Sequence, residues 1–220
     1  MMALARGCFI TLEGGEGAGK TTHVQSVVDY LNQHNIDVIT TREPGGTEVS
    51  ESIRSVLLSP ELPDMHADTE LLLMFAARNE HLQQKIIPAL EQGKWVVCDR
   101  FTDATYAYQG YGRGLSLERI AELERWVQGE LRPDYTVLFD LDVETGMQRV
   151  QQRSEDQAIT IDRFEREQTH FFNKIREGYL ARANESAERF RVLDAAQGIG
   201  QVRLNLVDAL DSILQQWGNT

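Results

Sequence analysis

A glycine-rich segment, residues 14–21, reads GGEGAGKT and fits the pattern G-x-x-x-x-G-K-T without a gap. Glycines lack a Cβ atom, so the backbone N–H groups of such a loop can crowd around an anion. The apolar run before it predicts a buried strand, and the apolar spacing after it predicts a helix, whose N-terminus attracts negative charge. A glycine-rich turn without a ligand would not require a buried strand before it and a helix after it. Because both are predicted here, the sequence predicts a site for a nucleoside triphosphate. The residues expected to form it are Gly14, Gly15, Glu16, Gly17, Ala18, Gly19, Lys20, Thr21 and Thr22.

The pair Asp99-Arg100 directly follows the apolar run 95–98. Beside a phosphate loop, a carboxylate at a strand end can hold Mg2+ or its waters, together with the hydroxyl of Thr21. The guanidinium of Arg100 adds a planar donor for phosphate oxygens. An Asp-Arg pair by itself is commonly a surface ion pair. Its position after a buried strand is what favours a metal and phosphate site.

The segment 41–47, TREPGGT, follows the second predicted strand. Its proline and two glycines predict a tight turn, and Thr47 can cap the helix that follows. A strand-to-helix turn explains this much without a ligand. The same turn would hold Glu43 at the mouth of the site, with Arg54 about two helical turns further along.

A platform for a nucleobase is predicted on the third helix, where Phe75 and Arg78 are three residues apart and share a face. The aromatic ring can stack on a base, and the guanidinium can donate to a base carbonyl. A phenylalanine in the run LLLMF is otherwise more often a core residue. The segment 102–110, TDATYAYQG, is either a polar helix face or a base-and-sugar pocket, and its own residues do not decide between the two.

The region 148–166 is polar and dense in charge. Arg149 and Arg153 lie four residues apart on one helical face, and Arg163 and Arg166 follow. Such sequences usually form a solvated loop. In a phosphoryl-transfer enzyme they can also form a lid, here about residues 149–166, whose arginines close over the transferring group and exclude water.

Alternating strands and helices must position these residues. Apolar, β-prone runs predict strands at residues 8–13, 37–41, 95–99, 135–141 and 190–193. Helical spacing predicts helices at residues 21–34, 47–58, 69–92, 117–129, 145–153, 164–188 and 202–217. Pro88 is expected to bend or restart the third helix. This alternation is typical of a parallel sheet covered by helices on both faces, with ligands at the carboxyl ends of the strands.

Length and composition fit one domain spanning residues 1–220, with no linker or repeat. The net charge of −12 argues against a nonspecific nucleic-acid binder. No apolar run approaches the ~20 residues that cross a bilayer, and no secretory signal is apparent. Cys8 and Cys98 lie in predicted strands with an offset of roughly 15 Å along the sheet, beyond disulfide reach, so they are expected to be free thiols in a reducing cytoplasm. The five histidines lack metal-ligand spacing, so a zinc site is not expected.

Six segments together resemble the successive signatures of bacterial thymidylate kinases. They are residues 14–22, 41–47, 99–101, 107–110, 112–114 and 162–165. The resemblance spans nearly the whole chain, and TREPGGT and AYQG are more specific than the phosphate loop. It implies a three-layer P-loop nucleoside monophosphate kinase fold, an α/β fold with a five-stranded parallel sheet, helices on both faces and a small lid. It also implies ATP- and Mg2+-dependent phosphorylation of dTMP to dTDP by a homodimer.

The resemblance also assigns roles to residues. Phe75, preferred to Met74 because a ring offers a flat face, would stack on thymine. Tyr108 would occupy the space of a ribose hydroxyl. Because the phosphate loop carries Glu16 where some members have an arginine, the lid would supply the catalytic arginine. The dTMP-binding residues would be Glu43, Arg54, Phe75, Arg78, Arg100, Thr105, Tyr108 and Gln109, the catalytic ones Lys20, Arg100, Arg149, Arg153 and Arg163, and the metal-binding ones Thr21 and Asp99.

Two alternatives compete with this function. Another nucleotide or small-metabolite kinase on the same fold would share the phosphate loop. A GTP-dependent switch would need D-x-x-G after a strand and N-K-x-D for guanine, and neither pattern occurs in the 220 residues.

Overall fold

A computed structural model describes residues 6–157, 163–165 and 167–218. These residues form a five-stranded sheet in the order β2-β3-β1-β4-β5, and all four strand pairings are parallel. The strands are β1 (Phe9–Glu13), β2 (Val38–Arg42), β3 (Trp95–Asp99), β4 (Tyr135–Asp140) and β5 (Phe190–Asp194). The predicted parallel sheet is confirmed, and every strand boundary lies close to its predicted residue.

Helices connect the strands. The described residues form α1 (Lys20–Gln33), α2 (Glu48–Leu58), α3 (Ala67–His81), α4 (Ile87–Glu91), α5 (Thr102–Thr105), α6 (Leu117–Gln128), α7 (Val143–Gln157), α8 (Thr169–Glu185) and α9 (Ile199–Trp217). The predicted helix 69–92 is present in three parts, because a π-helical segment, Leu82–Ile86, separates α3 from α4. Pro88 lies in the first turn of α4, where its missing N–H is tolerated. The predicted helix 164–188 begins too early, since α8 starts at Thr169.

The segment 102–110, which the sequence left open, is helical. It forms α5 and the start of a second π-helical segment, Tyr106–Gly112. Ala107, Tyr108 and Gln109 are buried there. A π-helix is often found at a functional site.

Strand register brings the charged strand ends to one edge of the sheet. Asp99 at the end of β3 pairs with Leu12 of β1 and with Arg42 of β2. Glu13, one residue beyond Leu12, pairs with Leu138 of β4. The charged residues that end these strands therefore lie together at the carboxyl edge of the sheet, where ligands are expected to bind.

Apolar side chains fill both faces of the sheet. On one face Ile10 and Leu12 pack with Leu31 of α1 and Leu206 of α9. On the other face Phe9 and its neighbours meet the segment that contains Leu82 and Ile86, while strand β4 packs on α8. Because successive strand residues alternate between faces, this burial on both sides produces the three-layer arrangement.

A single domain over residues 1–220 stays a prediction, as does a lid at about 149–166. Residues 158–162 and 166 of that lid, with Asp162 and Arg166, lie outside the described residues. Within the described ranges, no helix combines the length and the apolar character needed to cross a bilayer.

Candidate active site

A cavity of about 690 Å³ opens at the carboxyl edge of the sheet. Its walls come from the phosphate loop, the ends of β2 and β3, helices α2, α3, α5 and α7, and the turn after β5. This volume is within the usual range for a site that holds a small organic ligand.

The phosphate loop connects β1 to α1 in a conformation that requires glycine. Gly17 and Gly19 have φ angles of 70° and 86°, and a Cβ on Gly17 would lie 2.2 Å from the carbonyl oxygen of Gly146. The Nζ of Lys20 donates to the carbonyl oxygens of Gly14 and Gly15, at 2.9 and 2.8 Å. Burial and the nearby charge of Arg100 lower the pKa of Lys20 to about 8. Lys20 is thus held at the start of α1, within reach of an anion in the loop.

The predicted phosphate-loop residues are not all equivalent. Residues 16–22 line the cavity, whereas Gly14 and Gly15 do not. Those two glycines act through their carbonyl oxygens, which hold Lys20.

Thr21 and Asp99 meet across the loop. The hydroxyl of Thr21 donates to Oδ2 of Asp99 at 3.3 Å. The other oxygen, Oδ1, is buried without a hydrogen-bond partner among the described residues. An orphaned carboxylate oxygen beside a hydroxyl offers the hard oxygen ligands that Mg2+ prefers, so these residues fit the predicted metal site.

Glu16 of the phosphate loop binds Arg100 and Tyr108. Its Oε1 accepts from the Arg100 Nη2 at 2.6 Å and from the Tyr108 hydroxyl at 2.8 Å, while Arg100 also donates to that hydroxyl at 3.0 Å. Burial acts to raise the pKa of Glu16, but the charges of Arg100 and Lys20 and the hydrogen bonds lower it to about 2. Arg100 is therefore held at the cavity wall by an ionised partner.

The turn that carries Arg100 is supported from behind. Arg100 has a φ angle of 63°, a left-handed conformation that is uncommon for a side-chain-bearing residue. Glu13 fixes the next residue, because its Oε1 accepts from the backbone N–H of Phe101 at 2.7 Å. Its Oε2 accepts from the Tyr179 hydroxyl at 3.0 Å. Burial, followed by the charge of Asp103, raises the pKa of Glu13 to about 8.

A buried polar cluster forms another wall. Glu43, at the end of β2, accepts from the Arg78 Nε at 2.7 Å and pairs with His81 at 3.0 Å. Arg78 also donates from Nη2 to the Thr105 hydroxyl at 2.9 Å. Its Nη1 is buried and has no hydrogen-bond partner among the described residues. Arg78 lines the cavity, so this nitrogen is a donor suited to a ligand carbonyl.

The structure places Met74 at the cavity wall, whereas the sequence-based preference for base stacking is Phe75. Phe75 is buried in a cluster with Leu71, Tyr106 and Ile120 and does not line the cavity, whereas Met74 does. Neighbouring helical residues point about 100° apart, and the rotation of α3 about its axis turns Met74 rather than Phe75 toward the cavity. The Phe75 ring instead supports the Arg78 guanidinium from behind, 4.9 Å from its centroid.

The other predicted base-side and phosphate-side residues reach the cavity. Arg54 lines it and donates from Nη1 to the carbonyl oxygen of Pro44 at 2.8 Å. Thr105, Tyr108 and Gln109 also line it from α5 and the π-helical segment. The Gln109 amide donates to Glu70 at 2.8 Å.

The three predicted lid arginines separate into two groups. Arg149 lines the cavity and donates to the carbonyl oxygens of Gly17 and Ala195, at 3.4 and 3.1 Å. Arg153 also lines it and pairs with Glu165 at 2.7 Å.

Arg163 does not line the cavity, which corrects the expectation that it joins Arg149 and Arg153. Its guanidinium turns inward and binds the fully buried carboxylate of Glu70, with 2.6 Å between Nη2 and Oε2. It also donates from Nε to the carbonyl oxygen of Leu57 at 3.0 Å. A buried carboxylate without a charged partner is strongly destabilising, so Arg163 pairs with Glu70 instead of facing the phosphates.

Part of the cavity wall was not predicted. Gln197, Gly198 and Val202 line it after the end of β5. The rule that ligands bind at strand ends could have found these residues, had it been applied to the fifth strand. His23 also lines the cavity, but no sequence pattern distinguishes it from a polar face of α1.

The loop that would hold triphosphate and the cluster that would hold a base open into one cavity. A phosphate-loop protein with this parallel sheet, and with room for a second nucleotide beside the loop, is of the P-loop nucleoside monophosphate kinase class.

Comparison with known proteins identifies the family. A family model described as thymidylate kinase matches residues 12–205. The thymidylate kinase of Ectopseudomonas mendocina (strain ymp) is 55% identical over 209 residues, which cover 95% of this chain and 97% of the relative. That of Alkalilimnicola ehrlichii is 54% identical over 214 residues, or 97% of each chain. The crystal structure of thymidylate kinase from Ehrlichia chaffeensis is similar with a TM-score of 0.74 and 33% identity, covering 94% of this chain and 99% of that one. This chain belongs to the thymidylate kinase family.

Proposed function

We propose that this chain transfers the γ-phosphoryl group of ATP to dTMP, forming dTDP and ADP. The observation that carries the proposal is the shared cavity, which has Lys20 and the phosphate loop on one side and the buried Glu43–Arg78 pair on the other. Arg100 lines the same cavity and is bound to Glu16 of the phosphate loop. Relatives that carry the name thymidylate kinase over nearly the full chain support the same activity.

The proposed transfer is in line and uses no protein nucleophile, because the acceptor phosphate is already anionic. The bond from the γ-phosphorus to its bridging oxygen breaks as a bond to a dTMP phosphate oxygen forms. Loop amides and Lys20 hold the donor. Arg54 and Arg100 hold the acceptor phosphate, and Arg149 and Arg153 face the transferring group from α7. Catalysis then rests mainly on positioning and electrostatics.

Mg2+ is the proposed cofactor. Thr21 and Asp99 would hold it directly or through water, since Oδ1 of Asp99 is a buried acceptor with no partner among the described residues. When bound, the ion would neutralise charge on the phosphates.

The base side fits a pyrimidine. Arg78 offers a buried donor from Nη1, and Met74 and Phe101 give an apolar lining beside it. Thr105 and Gln109 add polar groups for the base edge. The Tyr108 hydroxyl, held by Glu16 and Arg100, is proposed to exclude a ribose hydroxyl.

A homodimer is also proposed. Leu72 of α3 and Trp126 of α6 are 55% and 83% exposed, and they line one shallow surface together with Leu71 and Leu123. Exposed apolar surface of this kind is typical of a protein interface. Sedimentation velocity of the chain and of Trp126→Glu would test it, because a charge there should favour the monomer.

Small molecules are the proposed partners, and the cytoplasm is the proposed location. Cys8 and Cys98 are buried free thiols, which is typical of a reducing compartment. The net charge of −12 gives no support to a nucleic-acid partner.

A coupled assay tests the function. The purified chain should phosphorylate dTMP with ATP much faster than UMP, dGMP or AMP, and dUMP should be the nearest competitor. Lys20→Ala, purified in the same way, should lose orders of magnitude in turnover while remaining folded by circular dichroism. A higher rate on another acceptor would assign a different nucleotide kinase. Near-normal turnover of Lys20→Ala would mean that the activity does not come from this cavity.

A further inference from the structure

Glu70, in the first turn of α3, is a fully buried carboxylate that lies outside the cavity wall. Its oxygens accept from the Gln109 Nε2 at 2.8 Å and from the Arg163 Nη2 at 2.6 Å. Arg113 donates to both oxygens, from Nε at 3.3 Å and from Nη2 at 3.2 Å. The carboxylate therefore joins a cavity residue to two arginines from other parts of the chain.

This contact fixes the orientation of the Gln109 amide. A carboxylate bonded to two guanidinium groups acts only as an acceptor, so Gln109 must turn its NH2 group toward Glu70. The carbonyl end of the amide, Oε1, is then the group that Gln109 offers to the cavity it lines. Within the part of the chain that the structure describes, the one hydrogen bond of this side chain is the bond to Glu70.

We propose that Glu70 is a positioning residue for base selection, an inference that rests on the proposed function. By holding the NH2 group of Gln109, it presents an acceptor at the pyrimidine pocket. Thymine and uracil carry a ring N–H that can donate to this oxygen. Cytosine carries a lone pair on the same ring nitrogen, so two acceptors would face each other, and a polar site rejects a ligand that leaves its groups unpaired.

Arg163 connects the predicted lid to this selection. Its guanidinium donates to the same carboxylate, and the Arg113 fork donates beside it. The backbone N–H of Arg163 also reaches the carbonyl oxygen of Leu58, a cavity residue. Arg163 thus steadies the carboxylate that orients Gln109, and its effect on the reaction passes through the base pocket.

The experiment compares Glu70→Gln with the unaltered chain on dTMP, dUMP and dCMP. An amide at position 70 can donate as well as accept, so it releases Gln109 from a single orientation. The ratio of kcat/KM for dTMP over dCMP should fall about tenfold. The ratio for dTMP over dUMP should stay the same, because both bases present the same edge. An unchanged dTMP-to-dCMP ratio in folded Glu70→Gln would overturn the proposal.

Glu167→Gln is the matched control. Glu167 forms an ion pair with the Nη1 side of the Arg113 guanidinium. Its replacement by glutamine is the same chemical change as Glu70→Gln, but it removes no contact to Gln109. It should leave both substrate ratios unchanged. A control that lowers the dTMP-to-dCMP ratio as much as Glu70→Gln would assign the effect to lost charge around Arg113, and would also overturn the proposal.

A second variant, Glu70→Asp, tests the proposal if Glu70→Gln fails to fold. Glu70→Asp keeps the charge for both arginines but withdraws the carboxylate by one methylene, about 1.5 Å. It should lower the dTMP-to-dCMP ratio in the same direction by a smaller factor, and an unchanged ratio would count against the proposal. If the unaltered chain itself fails to phosphorylate dTMP, the proposed function fails instead. The two failures are therefore distinguishable.

Discussion

Glu16 and Arg100 are 84 residues apart in the chain and form a 2.6 Å ion pair across the phosphate loop. The acidic loop residue thus holds a guanidinium that arrives from the end of β3. In the sequence, Glu16 is notable chiefly because it stands where some members of the family have a loop arginine. Its structural partner gives it a positive role, because it orients Arg100 and, through the same oxygen, the hydroxyl of Tyr108.

Glu16→Gln should lower kcat for dTMP by about 10- to 100-fold, since a hydrogen bond to a charged group contributes about 1.5–3 kcal/mol. The variant keeps the size of the side chain and loses the charge that orients Arg100. Steady-state kinetics measure the effect. Glu48→Gln, a charge change on α2 outside the cavity wall, is the control and should retain full activity. Equal kcat values for Glu16→Gln and the unaltered chain would contradict this role.

Asp99→Asn should raise the Mg2+ concentration that gives half-maximal activity by about tenfold or more. The amide keeps an acceptor for Thr21 but removes the negative charge beside the orphaned oxygen. A Mg2+ titration at saturating nucleotide measures the shift, and removal of metal with EDTA should abolish activity in both proteins. An unchanged titration midpoint would place the metal elsewhere.

Met74→Ala and Phe75→Ala should have different effects although the two residues are adjacent. Met74 lines the cavity, so its truncation should raise KM for dTMP several-fold with little change in stability. Phe75 is buried in the core, so its truncation should cost about 3–5 kcal/mol of unfolding free energy. Denaturant unfolding and kinetics on both variants test the pair. The reverse pattern would mean that Phe75 faces the ligand.

The sequence predicted well what depends on local patterns. Apolar runs located each strand. The rule that ligands bind at the carboxyl ends of parallel strands correctly placed Glu43 and Asp99 at one edge of the sheet. It could not predict how α3 is rotated about its axis, which decides whether Met74 or Phe75 meets the cavity. That rotation is set by packing against Ile120 of α6, a contact between residues far apart in the chain.

The sequence also could not predict which partners the long charged side chains would bind. Arg163 sits in a charge-dense segment that resembles the rest of the predicted lid. Its position depends on Glu70, which is 93 residues earlier in the chain and fully buried. No local pattern marks a carboxylate in the first turn of a helix as buried, because acidic residues are favoured there for electrostatic reasons alone.

Arg149→Met and Arg153→Met should each lower kcat by about 100-fold or more, as expected for arginines that stabilise a transferring phosphoryl group. Both line the cavity from α7. Arg163→Met should lower kcat less than about tenfold, and should instead lower the preference for dTMP over dCMP, because Arg163 binds Glu70. Single-turnover kinetics with ATP and dTMP separate transfer from binding. A loss of transfer in Arg163→Met as large as in Arg153→Met would contradict this division.

Glu13→Gln should change how stability depends on pH. The pKa of Glu13 is raised to about 8 by burial and by Asp103, so the folded state holds a proton that the unfolded state releases near pH 4.5. The contribution of Glu13 to the free energy of unfolding is thus fully present below pH 4.5 and is lost as pH rises through 8. An amide mimics the protonated acid, because it can accept from Phe101 and donate to the Tyr179 hydroxyl.

Urea unfolding at pH 5 and pH 8.5 measures this difference. The unfolding free energy of the unaltered chain relative to Glu13→Gln should fall by at least about 1 kcal/mol between the two values. Glu185→Gln, on the exposed end of α8, should follow the unaltered chain at both. Parallel pH dependence of the Glu13→Gln and unaltered proteins would show that Glu13 is already ionised in the folded state, and the turn that carries Arg100 would then be fixed by a charged carboxylate.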